Sequence, residues 1–260
     1  MSDTQATEPT YVAFWLYRAM PEWRWLDDSA RAHLRAEYAR TLEEHTGALT
    51  LRGAYSLVGL RHDADVMLWL HGPSMAAIQD LAVALRKTGL GSYLEQVYAY
   101  TGLVPQSRYS PEHRPAFAKG APPREYLSIY PFTKTHEWYL LPFEERRRLM
   151  AEHGRMGQAH SAMPEVRIDV ESDGGGTAVA VAVAEAIKAA PTGSVLANTV
   201  NSFGLGDQEF VVAFESESPA ALAAMVEDLR GAAVRIYTAV DTPIFLGRRK
   251  PLAAVLDDLG

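Results

Sequence analysis

Apolar and polar positions recur along this chain with two different periods, and the switch from one to the other happens in the same order twice. In residues 63–86 a short apolar strand leads to Ser74, after which Ile78, Leu81, Ala82 and Leu85 return at spacings of three and four. That spacing predicts an amphipathic helix with the serine hydroxyl at its N-cap. Residues 207–230 repeat the arrangement without gaps, offset by 144 positions: Ser218 heads Leu222, Met225, Val226 and Leu229. Pro219 suits the first helical position. Upstream, residues 11–17 (YVAFWLY) and 125–132 (EYLSIYPF) read as strands, each followed by a helical pattern over 29–47 and 141–154. In the second of these helices Pro142 and Glu144–Glu145 mark the start, where the helix dipole favours acids, and Gly154 marks the stop.

Each half therefore predicts strand–helix–strand–strand–helix–strand, a ferredoxin-like unit. The fold class expected is α+β, two ferredoxin-like repeats forming a dimeric α+β barrel-type fold. Pairing Glu44–His45 with Glu152–His153 gives an offset of 108 rather than 144, so the second half carries 36 additional residues. They are expected as a surface excursion near 161–193. The predicted organisation is a tail over 1–10, a first half over 11–104 and a proline-rich connection over 105–125. A second half over 126–249 and a tail over 250–260 follow.

The chain of 260 residues has 48% apolar and 22% charged residues and a net charge of −7. That balance argues against a nucleic-acid partner and a polybasic membrane anchor. No apolar run is long enough for a membrane span, and the polar start lacks the features of a secretion signal, so a cytoplasmic location is expected. Cysteine is absent, which excludes disulfides, thiolate nucleophiles, iron–sulfur clusters and thiolate-ligated haem. A metal would fall to histidine, carboxylate, tyrosine or methionine.

Candidate chemistry gathers in residues 129–142 (IYPFTKTHEWYLLP), where Tyr130, Lys134, His136 and Trp138 share even positions. Tyr130 reads either as a packed tyrosine or as a redox tyrosine next to Pro131, which ends or edges its strand. Trp138 reads as packing and the run Arg146–Arg148 as a solvated helix face. His153 follows Leu149 by four and Met150 by three, so it lies on an apolar helix face. Two readings fit it: a core histidine with a satisfied ring nitrogen, or an axial ligand facing a porphyrin-sized cavity. His45 holds the equivalent place in the first repeat, and helical pattern does not choose between them. His113 sits in the proline-rich connection; His33, His62, His71 and His160 read as peripheral.

Residues 130–157 (YPFTKTHEWYLLPFEERRRLMAEHGRMG) resemble the signature segment of the coproheme decarboxylase family within the chlorite dismutase superfamily, most of all its actinobacterial branch. Residues 112–117 (EHRPAF), 197–210 (ANTVNSFGLGDQEF) and 242–249 (TPIFLGRR) support the likeness, which runs from Tyr11 to Arg249 apart from the excursion. The resemblance implies that His153 is the proximal ligand of haem iron and Tyr130 the residue oxidised to a radical. It implies that His113 is the distal base, that Lys134 contacts a propionate and that Trp138 lines the pocket. Ala197 falls where chlorite dismutases place an arginine above the iron, so chlorite chemistry is disfavoured. The implied reaction is hydrogen-peroxide-dependent decarboxylation of two propionates of iron coproporphyrin III (coproheme), which is substrate and redox cofactor together, giving haem b. A homopentamer and a transient contact with a coproporphyrin ferrochelatase are implied as well. The alternatives are a haem-binding peroxidase, a chlorite dismutase-like protein and a non-catalytic haem carrier.

Overall fold

A computed structural model describes residues 9–104, 114–161 and 194–260. The chain divides into two compact units, the first drawn from residues 1–109, 200–207 and 245–260, the second from 110–199 and 208–244. Elements are numbered along the chain.

The first unit contains β1 (Thr10–Ala19), α1 (Asp28–Glu44), β2 (Thr50–Ser56), β3 (Val66–Gly72), α2 (Met75–Arg86) and β4 (Leu94–Val104). β1 lies antiparallel between β3 and β4, and β2 flanks β3. Its helices close over the sheet through a filled core in which Trp15, Trp23, Tyr38, Leu42, Leu81 and Leu85 are all buried. The second unit contains β5 (Tyr126–Lys134), α3 (His136–Leu140), α4 (Phe143–Ala159), β6 (Val195–Ala197), β8 (Phe210–Ser216), α5 (Pro219–Arg230) and β9 (Thr238–Val240). β8 lies antiparallel between β6 and β5, and β9 pairs with the far end of β5. β7 (Val200–Asn201) and β10 (Phe245–Lys250) extend the first unit's sheet against β4 and β2, and α6 (Leu252–Asp257) follows. The α+β class and the duplicated ferredoxin-like order are those expected.

Local chemistry sets most boundaries. Ser74 Oγ accepts from the Ala77 N–H at 3.2 Å and Ser218 Oγ from the Ala221 N–H at 3.4 Å, so both helices start at their serine caps. Two boundaries differ from expectation. α4 runs through Gly154 to Ala159; a mid-helix glycine costs only about 1 kcal/mol against alanine, and the turns beyond it still bring Met156 against the buried cluster of Trp138, Leu149, Ala232 and Val234. β5 continues past Pro131 to Lys134, because pairing with β8 extends through Phe132 and β9 then takes over at Thr133. Beyond β5 the chain turns at Thr135 into the short helix α3, which buries the Trp138 indole. Arg147 and Arg148 are exposed and paired with Glu144 and Glu145, as a solvated face requires, whereas Arg146 is half-buried.

The segment expected as an excursion leaves and returns at one place. Ser161 bridges to Val195, and the Val195 N–H donates to the His160 carbonyl at 2.8 Å. Residues 162–193 lie outside the described residues. Closure of a loop by so short a base makes its length thermodynamically cheap. Replacing 163–192 by a short Gly/Ser linker is therefore expected to leave the fold intact, with the melting temperature within a few degrees of the full chain. A chain that no longer folds would show that the segment contributes core packing.

Candidate functional site

Register divides β5 and β8 into two faces. Leu127 and Ile129 of β5, with Val211 and Ala213 of β8, are fully buried on one side. On the other side Tyr130 lies opposite Val212 and Phe132 opposite Phe210, with Phe214 against the Tyr130 ring at 6.1 Å between centroids. This even face does not close onto the helices as its counterpart does in the first unit. It forms one wall of a cavity of about 500 Å³, within the range that holds small molecules and cofactors. α4 adds Met150 and His153, α5 adds Val226, Leu229 and Arg230, and the chain beyond α5 adds Val234, Arg235, Thr238 and Asp241.

Four residues singled out in the sequence meet here: Tyr130, Lys134, Trp138 and His153 all line the cavity. α4 aims His153 inward because Leu149, one turn earlier, is buried with Trp138, Ala232 and Val234. Its Nδ1 is buried without a hydrogen-bond partner among the described residues. Among the described residues, this nitrogen is not satisfied in the way a core histidine's would be. Burial, assisted by the charge on Lys134, pushes the His153 pKa down, so the imidazole is neutral with a free lone pair at neutral pH. His45, its partner in the repeat, is different: it caps α1, and its Nδ1 meets the Thr41 carbonyl at 2.8 Å.

Burial also governs the other two titrating groups. The Tyr130 hydroxyl is pushed up to about 12, with Arg230 and Arg235 pulling the opposite way and Asp241 adding to the rise. Lys134 is pushed down to about 8 by burial, against the attraction of Glu209. Its ammonium lies over the Trp138 ring at 4.6 Å and the Phe132 ring at 5.0 Å. Glu209 fixes this corner: its Oε2 accepts from the Lys134 backbone N–H at 2.8 Å and from the Tyr139 hydroxyl at 2.6 Å.

Ala197 is exposed on β6 and is not among the lining residues; Thr199, two positions on, is. His113 lies outside the described residues. The segment that follows it is anchored: Asn198 Oδ1 accepts from the Phe117 N–H at 2.8 Å, and Asn198 Nδ2 donates to Glu215 Oε2 at 3.0 Å. Asn198 and Glu215 are both fully buried. His33, His62 and His136 are exposed, and His160 pairs with Asp228 at 2.6 Å. Sequence reasoning missed Arg230, Arg235 and Asp241, which come from a helix end, a turn and a loop and so share no period.

Among the described residues no group of three or more histidine, aspartate or glutamate side chains could hold a metal ion. A single imidazole facing an apolar cavity instead suits a metal that arrives inside a macrocycle with four of its ligands already in place. The aromatic and aliphatic walls match the faces of such a ring, and the cations match acidic side arms. No helix among the described residues is long and apolar enough to cross a membrane.

A family model described as "Chlorite dismutase" matches residues 28–172 and 185–250. A coproheme decarboxylase from Mycolicibacterium smegmatis is 33% identical over 221 residues, covering 84% of this chain and 82% of that one. A coproheme decarboxylase from Staphylococcus carnosus is 26% identical over 185 residues, covering 62% and 72%. The solved structure of chlorite dismutase from Candidatus Nitrospira defluvii in complex with imidazole superposes with a TM-score of 0.74, at 23% identity over 98% of this chain and 96% of that one.

Proposed function

The chain belongs to the chlorite dismutase family, and on that premise we propose that it is a coproheme decarboxylase. The observation that carries this reading is the convergence of Tyr130, Lys134, Trp138 and His153 on one apolar cavity. The substrate is iron coproporphyrin III, and two of its propionates become vinyl groups to give haem b. For each side arm, one propionate, one hydrogen peroxide and one proton become one vinyl group, one carbon dioxide and two waters. The bound iron ring supplies the redox chemistry with peroxide.

The chain's own residues have defined tasks. His153 holds the iron through a ring nitrogen, and Lys134 pairs its ammonium with a propionate. The aromatic walls, Trp138 among them, exclude water, so that this pair counts for more than it would on a surface. Tyr130, protonated at any working pH, would move a hydrogen from the propionate β-carbon, while the bound ring and peroxide would take up both electrons that each decarboxylation releases. His113 moves the proton needed during peroxide activation. At Ala197, where the resemblance places the arginine of chlorite dismutases, no cation is present, which supports decarboxylation over chlorite chemistry. A homopentamer is part of this reading, and sedimentation velocity tests it.

Incubation with iron coproporphyrin III and hydrogen peroxide, followed by mass spectrometry, is the direct test. Two successive losses of a carboxyl group are expected. An unchanged porphyrin with small phenols oxidised instead would make the protein a general peroxidase.

Lys134 gives the binding a pH dependence. With a pKa of about 8, the ammonium is charged at pH 7 and largely neutral by pH 9.5. Bound carboxylate favours the charged form, so affinity for coproheme without peroxide is expected to fall by roughly tenfold across that interval. Tyr130 stays protonated there. Lys134→Met should flatten the profile; a profile that keeps its slope in this variant would assign it to another group.

A further inference from the structure

In α3 Tyr139 follows Trp138, which lines the cavity, yet Tyr139 is not itself part of that lining. Its hydroxyl donates to Glu209 Oε2 at 2.6 Å, the length of a bond from a hydroxyl to a charged oxygen. The same oxygen accepts from the Lys134 N–H at 2.8 Å, and the Glu209 N–H donates to the Phe132 carbonyl at 3.2 Å, so the carboxylate is fixed to β5. Burial and this carboxylate both push the Tyr139 pKa up, and at rest the phenol keeps its proton. Loss of an electron reverses that preference. An oxidised phenol is strongly acidic, and its proton crosses the existing bond to Glu209 with no rearrangement.

Electrostatics separates the aromatic side chains of this corner. The Lys134 ammonium lies 4.6 Å from the Trp138 ring centroid, an arrangement that favours the neutral indole and repels a positive hole on it. Tyr237 packs against Trp138 at 5.8 Å between centroids, whereas Tyr139 holds an anion at its hydroxyl. A hole that reaches this wall is therefore driven off Trp138 and comes to rest on Tyr139.

We propose that Tyr139 and Glu209 form a second redox site, an outlet through which the protein uses peroxide to oxidise small phenols once no side-arm hydrogen is left to take. This rests on the proposed peroxide chemistry and adds a second activity to it. In each pass Tyr139 gives one electron to the bound ring and peroxide and its proton to Glu209. A small phenol then breaks its own O–H bond and returns a hydrogen atom to the Tyr139 oxygen, while the proton on Glu209 passes to the water formed from peroxide. Two passes turn one hydrogen peroxide and two phenols into two waters and two phenoxyl radicals. Tyr139 is exposed, so a phenol meets it without entering the cavity.

Freeze-quench electron paramagnetic resonance of the haem b-loaded protein after peroxide addition tests this. A tyrosyl signal is expected that persists in Tyr130→Phe and Tyr237→Phe and falls several-fold in Tyr139→Phe. Oxidation of 2-methoxyphenol should fall with it, while Soret titration finds loading unchanged. Glu209→Gln keeps an oxygen for the Lys134 N–H but takes up no proton, so its signal should fall several-fold as well. An undiminished signal in Tyr139→Phe, or its loss in Tyr130→Phe or Tyr237→Phe, would overturn the outlet. An undiminished signal in Glu209→Gln would overturn the acceptor. Mass spectrometry of Tyr139→Phe with coproheme should still find two lost carboxyl groups, and their retention on the porphyrin would overturn a separate outlet by placing Tyr139 in the main reaction. A wild-type protein that gives the signal but removes no carboxyl group would keep the outlet and lose decarboxylation.

Discussion

Tyr130→Phe is expected to bind coproheme with nearly unchanged affinity and to lose at least about 99% of its decarboxylation, a drop at the upper end for a group that moves a proton in the transition state. The substitution removes one oxygen from a wall that is otherwise Phe132, Phe210, Val212 and Phe214. Packing against Phe214 survives, because the ring remains. What is lost is the only part of this side chain that can release a proton with an electron. Burial that lifts the hydroxyl to about 12 opposes a free phenolate, so electron loss must be coupled to proton loss. Mass spectrometry after peroxide addition checks this, with Soret titration as the control for binding. Full conversion by the phenylalanine variant would remove Tyr130 from the mechanism.

His153→Ala is expected to weaken coproheme binding by about a hundredfold or more and to change the iron's absorption spectrum, with added imidazole restoring part of it. The fold should not suffer. The buried Nδ1 has no partner among the described residues, and such an unmet group costs about 1–3 kcal/mol. Alanine is also the better helix former in α4, so the ligand-free variant should melt no lower than the wild type. His45→Ala separates the two repeats: it loses the Thr41 contact and should leave the spectrum untouched. Spectral loss in His45→Ala with none in His153→Ala would reverse the assignment.

Much of the fold could be read from the chain because its signals are local. Serine caps and apolar spacings depend on residues a few positions apart, and they placed α2 and α5 correctly. The even-position run from Tyr130 to Lys134 was legible for the same reason, since a strand sends alternate side chains to one face. Signals failed where a remote partner decided the outcome. β5 ran past Phe132 because β9 took over the pairing, and Gly154 did not end α4 because packing beyond it held. Ala197 carried an expectation drawn from resemblance, while Thr199 is the residue of that stretch that lines the cavity.

By itself the sequence determined that two similar units would form and which faces of their strands and helices would be apolar. It could not determine which unit is hollow. At the repeat offsets, Leu42 corresponds to Met150 and Leu85 to Leu229; the first of each pair is buried in a filled core, the second borders the cavity. All four are ordinary apolar residues on helical stripes. Whether they close a core or leave a space depends on the summed volume arriving from several elements, with Trp15, Trp23 and Tyr38 filling it in the first unit. The tertiary structure alone decides that sum, and it alone brings Arg230, Arg235 and Asp241 to the same wall.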